Sequence, residues 1–341
     1  MSSSTLPSRP VTDTLSEKGF VRDAWYVVAR SIDVQDKPKQ VMLCGQKAVL
    51  YRHEGKLVSA PDRCPHREAP LSKGWMANGC LVCPYHGWEF AEEGKCVRVP
   101  SSSSENLPVP PKAHLSTFPV QEKYGLIWMS VGTPVNDIPV IPQDADPSFR
   151  RINTDVELWE TCALRMVDNF LDITHFPFVH TGTFGKGQET RVPTVELGPL
   201  DNGWFGYSYE VKANNDTAGG SLASGQTDDV VERAMSSGFQ LPLYCRSTIK
   251  YHSGLEHILL LLSTPVDDET AYFAFVVWRN DDFSVSAEEV IRFDLAIGAE
   301  DKRMLEMLDG VMPLGQTDLV SVQADKCNVE WRRQFKQCFD A

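Results

Sequence analysis

The sequence predicts an α+β protein in two parts: an all-β domain over residues 1–140, then a domain over residues 141–341 with an antiparallel sheet flanked by helices. Three observations lead there. Short apolar runs, WYVVA, VMLC, AVLYR and KLVSA, follow one another between residues 25 and 60, broken by Gly45, Gly55 and polar residues, and read as a meander of antiparallel strands. The segment NDIPVIPQDADPSF at residues 136–149 interrupts every periodic pattern with Pro and Asp and marks a boundary. Beyond it, helix-like stretches mix with long strands such as HILLLLSTPV and AYFAFVVWR without regular alternation, which favours an antiparallel sheet over a wound parallel one.

Within the first part, YGLIWMSVG at residues 124–132 adds another strand. The stretch SSSSENLPVPPK before it has the composition of a linker, but strands of the same character flank it on both sides, so it reads as a surface loop. A chain of 341 residues has room for two cores of ordinary size. No apolar run approaches the roughly 18 residues of a membrane span, and the polar start MSSSTLPSRPVTDTLSEKGF has no apolar segment of a secretory signal. A cytoplasmic protein is expected. A net charge of -13 repels phosphate backbones and suits docking to a basic partner protein rather than to nucleic acid. Nine cysteines, an odd number scattered along a large chain, indicate reduced thiols and a few metal ligands rather than a disulfide framework.

The ligands are concentrated in CPHREAPLSKGWMANGCLVCPYHGWEF, residues 64–90. Cys64-Pro-His66 is followed after sixteen residues by Cys83-Pro-Tyr-His86, two short-spaced pairs that can present ligands from adjacent loop tips. Zinc uses the same ligand types, but its usual spacings join Cys to Cys and His to His, whereas each pair here is mixed. Mixed pairs suit a [2Fe-2S] cluster with two Cys on one iron and two His on the other. The spacing, the Pro after each Cys and the following HGW resemble the Rieske iron-sulfur motif. That resemblance implies Cys64 and Cys83 on the inner iron and His66 and His86 on the outer, more exposed one. Cys80 and Cys96 match no motif position and are expected to be packing thiols, with Trp88 a structural aromatic.

A Rieske cluster moves single electrons and makes no bond to substrate, so a reaction centre must lie elsewhere. MVDNFLDITHFPFVH, residues 166–180, is the candidate. If it is helical up to Pro177, then Asn169, Asp172 and His175 recur at three-residue intervals on one face and the Pro bends the chain before His180. Two His with one carboxylate, leaving the opposite positions open, is the ligand set of non-haem Fe(II) oxygenases. Asp172 is placed to accept the free N–H of an imidazole ligand instead of joining the set. In SAEEVIRFDLAIGAEDKRMLEMLDG, residues 286–310, a single helix would carry a stripe of Val290, Phe293, Ile297, Met304 and Leu308, with both Asp294 and Asp301 on it, Glu300 toward its edge and Gly298 as a possible break. Periodicity leaves Asp294 and Asp301 open.

The pattern N-x-x-D-x-x-H-x-x-x-x-H, read as Asn169, Asp172, His175 and His180, resembles the mononuclear-iron motif of Rieske non-haem iron oxygenases. The likeness runs through the chain in order, from the cluster motif through YGLIW, NDIP and the iron motif to VSVQADKCNVEWRR. The HFPFVH and AEDK segments are most similar to the short monooxygenase type that includes caffeine N-demethylases and saxitoxin-pathway hydroxylases. The resemblance implies Asp301 as the third iron ligand. It implies Asp172 as a bridge from His66 or His86 of a neighbouring subunit to His175, and a head-to-tail homotrimer. Asn169 is assigned to shaping the iron's surroundings, with helix capping or packing as the alternative. The expected activity is monooxygenation of a small organic substrate, by C–H hydroxylation or by N- or O-demethylation. Cis-dihydroxylation is the runner-up; an electron carrier without oxygen chemistry and a zinc-stabilised binding module are the rivals. The chain has no G-x-G-x-x-G turn and no plant-type ferredoxin spacing, so NAD(P)H is expected to act indirectly through a separate reductase, with or without a ferredoxin. Pocket walls are expected from Phe176, Phe178 and the strands at residues 259–262 and 272–278.

Overall fold

The computed structural model describes residues 19–102, 107–215, 218–312 and 319–339. The polar start at residues 1–18 and part of the serine-rich loop, residues 103–106, lie outside them. Described residues 19–145 carry three small antiparallel sheets. Strands Lys39–Leu43, Gln46–His53 and Lys56–Pro61 form the expected meander. Its turns, Cys44-Gly45 and Glu54-Gly55, have both residues at positive φ, the geometry that matches a two-residue hairpin to the twist of its strands.

Tyr26–Arg30 departs from the meander. It pairs with Leu126–Met129, Tyr26 opposite Met129, and Val120–Lys123 completes that sheet. The reason is its burial: Tyr26, Val27, Val28 and Ala29 are all buried, so both faces of the strand need apolar cover. A hairpin with one wet face cannot supply it. The third sheet, Trp75–Ala77, Cys80–Val82, Glu89–Phe90 and Cys96–Arg98, carries one of the two Cys/His loops.

The second part is built on an eight-stranded antiparallel sheet, counted among the described residues. Its central strands are Ala271–Arg279, Glu256–Pro265, Tyr244–Tyr251 and Val230–Gln240, with Leu261 opposite Phe275 and Cys245 opposite Leu261. Alternation along these strands sends side chains to two different neighbours. Ile258, Leu260, Leu262, Ala274, Val276 and Trp278 pack with Val27, Tyr124, Leu126 and Trp128 of the first part. Leu259, Leu261, Phe273 and Phe275 face the opposite way, toward helices Ala163–Leu171 and Ala287–Leu305. The Pro- and Asp-rich segment straps the two parts together. Tyr124 Oη donates to Pro139 O at 2.9 Å and accepts from Ile141 N at 3.0 Å, and Ile138 and Ile141 are buried.

The long helix Ala287–Leu305 is continuous through Gly298. Ser286 starts it by accepting a hydrogen bond from Glu289 N at 3.1 Å, with Glu288 and Glu289 in its positive first turn. It ends before Leu308, which is exposed and not part of the buried stripe. A further helix, Lys326–Phe339, buries Cys327, Trp331 and Phe335. No helix among the described residues is long and apolar enough to cross a membrane.

Trp278 tests the contact between the two parts. It is fully buried, meets the Tyr124 ring edge-on at 5.0 Å and donates from Nε1 to Asp144 Oδ1 at 2.8 Å. Trp278→Ala is expected to cost roughly 3–5 kcal/mol, measured as a lowered midpoint in thermal or urea unfolding; an unchanged midpoint would contradict this packing.

Candidate active site

The two Cys/His segments fold into loops of one design. In residues 64–69, Cys64 N donates to Ala69 O at 2.9 Å and Glu68 N to Cys64 O at 2.8 Å; in residues 83–88, Cys83 N donates to Trp88 O at 2.8 Å and Gly87 N to Cys83 O at 3.0 Å. The fifth residue of each, Glu68 and Gly87, has positive φ, 61° and 70°. Cys64 and Cys83 lie 1 % exposed in an apolar cluster, while the His66 and His86 rings stand 4.5 Å apart nearer the surface. Burial pushes the Cys64 thiol up to about 11, so a thiolate there needs a bound cation. His66 Nδ1 is buried with no hydrogen-bond partner, as a ligand atom kept for a metal would be. These donors fit a [2Fe-2S] cluster. Trp88 stacks on His66 at 4.7 Å and 8°, so it holds that ring in place as well as filling space. Cys80 and Cys96 are buried, and burial raises both thiols, as expected of packing residues.

The second constellation differs from its predicted shape. The helix Ala163–Leu171 stops at Leu171 rather than running to Pro177. Asp172 is extended at φ -86°, ψ 143°, and its carboxylate accepts from Thr174 N at 2.9 Å and His175 N at 3.0 Å, the hydrogen bonding of a cap. A short helix, Phe176–Val179, follows with Pro177 in its first turn, where the missing N–H costs nothing. Two helices therefore meet at Asp172, and Pro177 begins the second instead of bending the first.

This break brings His175 and His180 together. Their Nε2 atoms are 3.1 Å apart, and Asp301 Oδ1 lies 3.5 Å from the first and 3.4 Å from the second. Each imidazole is held from behind by a carboxylate: His175 Nδ1 donates to Asp172 Oδ2 at 2.8 Å, and His180 Nδ1 donates to Glu300 Oε2 at 3.0 Å. Carboxylates only accept, so both ring protons sit on Nδ1 and both Nε2 lone pairs face Asp301. Three acceptors thus converge with no proton between them, a donor set that calls for a cation and fits the facial pattern of non-haem iron.

The electrostatics agree. Burial disfavours charge on His175, but Asp172 and Asp301 outweigh it and lift its pKa to about 9, so the pair of acids favours a positive charge at this ring: a second proton on Nε2, or a metal ion in that proton's place, and the proton-free set above is the metal-binding state. Burial first, and then the neighbouring His175 charge, lower His180. Burial raises Asp172, but the bonds from His175 and Thr174 prevail and hold its carboxyl below the usual range. Asn169 Nδ2 donates to Asp301 Oδ1 at 3.0 Å, so it touches the third acceptor and is not a cap.

Glu300, which the sequence places toward the edge of the helix stripe without a role, is the functional residue that sequence reasoning missed. It is 6 % exposed and also accepts from Gly182 N at 2.8 Å and Thr183 Oγ1 at 2.6 Å, which ties the loop after His180 to the long helix. Gly182 leaves room for it: a Cβ there would come within 2.7 Å of Glu300 Oε1. Asp294 lies on the same helix face as Asp301 but opposite His257, with Oδ1 3.4 Å from His257 Nε2. The cavity over the three acceptors is walled by Phe176, Leu259, Leu261, Phe273 and Phe275. Phe178, expected among these walls, is 69 % exposed and points away, because the short helix turns it outward. Leu260, Leu262, Ala274, Val276 and Trp278 belong to the other face of the sheet.

Comparison with known proteins agrees with this geometry. Residues 24–119 match the Rieske [2Fe-2S] domain, and residues 159–341 match the vanillate O-demethylase oxygenase C-terminal domain. The chain is 30 % identical over 340 residues to methylxanthine N1-demethylase NdmA of Pseudomonas putida, covering 95 % of this chain and 91 % of that one. It is 27 % identical over 336 residues to the N3-demethylase NdmB of the same organism, with the same coverage, 95 % and 91 %. The structure of NdmA with caffeine superposes with a TM-score of 0.83 at 28 % identity, over 94 % of this chain and 92 % of that one. The chain therefore belongs to the Rieske non-haem iron oxygenases, in the branch that carries the vanillate O-demethylase type of C-terminal domain.

Proposed function

We propose that this oxygenase monooxygenates a small aromatic or heterocyclic compound, by hydroxylating a C–H bond or by oxidising an N- or O-methyl group that leaves as formaldehyde. The observation that carries the reading is the convergence of His175, His180 and Asp301 at the edge of an apolar-walled cavity. Demethylation activity in the names of NdmA and NdmB supports it. Residues 1–140 would store electrons and residues 141–341 would hold the substrate.

In this reading Cys64 and Cys83 hold the inner iron of the cluster, His66 and His86 the outer iron, and His175, His180 and Asp301 the mononuclear iron. When bound, the cluster supplies electrons one at a time and the mononuclear iron supplies the site where dioxygen is activated. The chain's own residues do the rest. Asp172 and Glu300 keep the ring protons on Nδ1 and fix both imidazole planes. Asn169 restrains Asp301 by engaging Oδ1. Phe176, Phe273 and Phe275 keep the cavity apolar and limit water beside the reacting atoms.

Electrons come from NAD(P)H through a separate reductase, with or without a ferredoxin, and the protein works in the cytoplasm as a head-to-tail homotrimer. The trimer is supported by two features that face outward: His86 is exposed, and the Asp172 side chain keeps 18 % of its surface open. Each cluster would then serve the iron of the next subunit through Asp172.

The decisive experiment supplies a surrogate reductase with methylated heterocycles and methoxyarenes and scores formaldehyde against hydroxylated products. Formaldehyde release is expected from the wild type, and none from Asp301→Ala, which keeps the cluster colour; turnover by that variant would remove Asp301 from the site. Asp172→Asn should leave both metals bound and slow electron arrival at the iron by on the order of 10–100-fold in single-turnover absorbance. A normal transfer rate would exclude the bridge. Glu300→Gln is expected to weaken retention of the mononuclear iron about 10–100-fold, read as iron per chain after dialysis against a chelator with the cluster spectrum unchanged.

A further inference from the structure

Among the described residues, one positive charge in the cavity wall has no ion-pair partner. Arg233 is 8 % exposed, and its Nε is buried with no hydrogen-bond partner. Among the described residues no carboxylate forms an ion pair with its guanidinium, which lies over the face of Phe184 at 5.5 Å. The other buried arginines among the described residues are treated differently. Arg246 is paired with Asp201, and Arg279 donates to Asp281, Ala223 O and Leu222 O. A buried guanidinium without a counter-charge is costly, and such a group persists where a ligand completes it.

The sheet register aims Arg233 at the reaction centre. It lies on Val230–Gln240 with Met235 and Ser237 on the same face, and all three line the cavity. Phe184, beneath the guanidinium, stacks on the His180 ring at 4.9 Å and 29°. One aromatic ring thus separates the cation from an imidazole of the convergent set. Across the sheet, His257 faces another acid of the cavity wall. Arg279 Nη1 donates to His257 Nδ1 at 3.1 Å; a guanidinium cannot accept, so the His257 ring proton sits on Nε2, which points toward Asp294 Oδ1 at 3.4 Å. The Asp294 carboxylate, the other acid at that end of the cavity, is therefore faced by His257 and forms no ion pair with Arg233.

We infer that Arg233 anchors a carboxylate on the substrate, so that the protein acts on a small aromatic acid whose ring lies against the apolar wall; the inference rests on the oxygenase reading above. The guanidinium fork would grip the carboxylate with two parallel hydrogen bonds. The test is calorimetric titration of the reduced holoenzyme with 3-methoxybenzoate and with 3-methoxybenzamide, which share a ring and a methyl ether and differ in charge. The benzoate is expected to bind roughly ten- to a hundredfold more tightly. Arg233→Gln should erase that preference and Arg233→Lys retain part of it, with the cluster spectrum checking that each variant is folded. Equal binding of the two probes by the wild type, no binding of the benzoate, or a preference that survives Arg233→Gln would each overturn the inference, and the first two need no variant. Formaldehyde release measured in parallel separates the two readings. Demethylation without a preference for the acid removes the carboxylate anchor alone, whereas Arg233-dependent binding without oxygen incorporation removes the oxygenase reading alone.

Discussion

Three lone pairs directed at one another in a nearly dry space form the constraint around which the catalytic half is organised. The Nε2 atoms of His175 and His180 and the Oδ1 of Asp301 repel unless a cation sits among them, and each comes from a different local structure. His175 is presented by the interruption between two helices, His180 by the end of a short helix, and Asp301 by a helix more than a hundred residues away in sequence. Holding them there requires the hydrogen bonds behind them. Asp172 and Glu300 point each ring inward, and Glu300 also fastens the loop that follows His180. Folding free energy from the sheet and helices thus maintains a cluster of acceptors that would otherwise separate.

The same division of labour governs the cluster loops. Two segments with no regular structure reproduce one hydrogen-bonded turn, which buries their thiols and leaves the imidazoles near the surface. An electron-transfer site needs that asymmetry: the sulfur side is insulated, and the nitrogen side is within reach of a partner.

Much of this could be read from the residues, because metal ligands impose spacing that packing does not. The mixed Cys/His pairs at 64–66 and 83–86 identified a cluster type before any fold was known, and alternating runs such as HILLLLSTPV pointed to strands that are present. What escaped were features set by tertiary contact. Helical periodicity through Asn169, Asp172 and His175 was real as a pattern, yet the Asp172 carboxylate satisfies backbone N–H groups and ends the helix. Strand Tyr26–Arg30 paired far along the chain because both of its faces are buried, and sequence proximity carries no information about that. Glu300 stood only toward the edge of a helix stripe and Arg233 drew no reading, since neither the loop that the first fastens nor the cavity that encloses the second has a local signature.

The two-faced sheet has a consequence for how such enzymes diversify. From Arg233 to Phe275 the residues lining the cavity all occupy odd-numbered positions, while the buried contacts with the first half fall on even ones between Tyr244 and Trp278. Substitutions of one parity can reshape what the cavity accepts while leaving the seam between the halves untouched. Evolution can therefore retune substrate choice one strand position at a time without rebuilding the route by which electrons arrive.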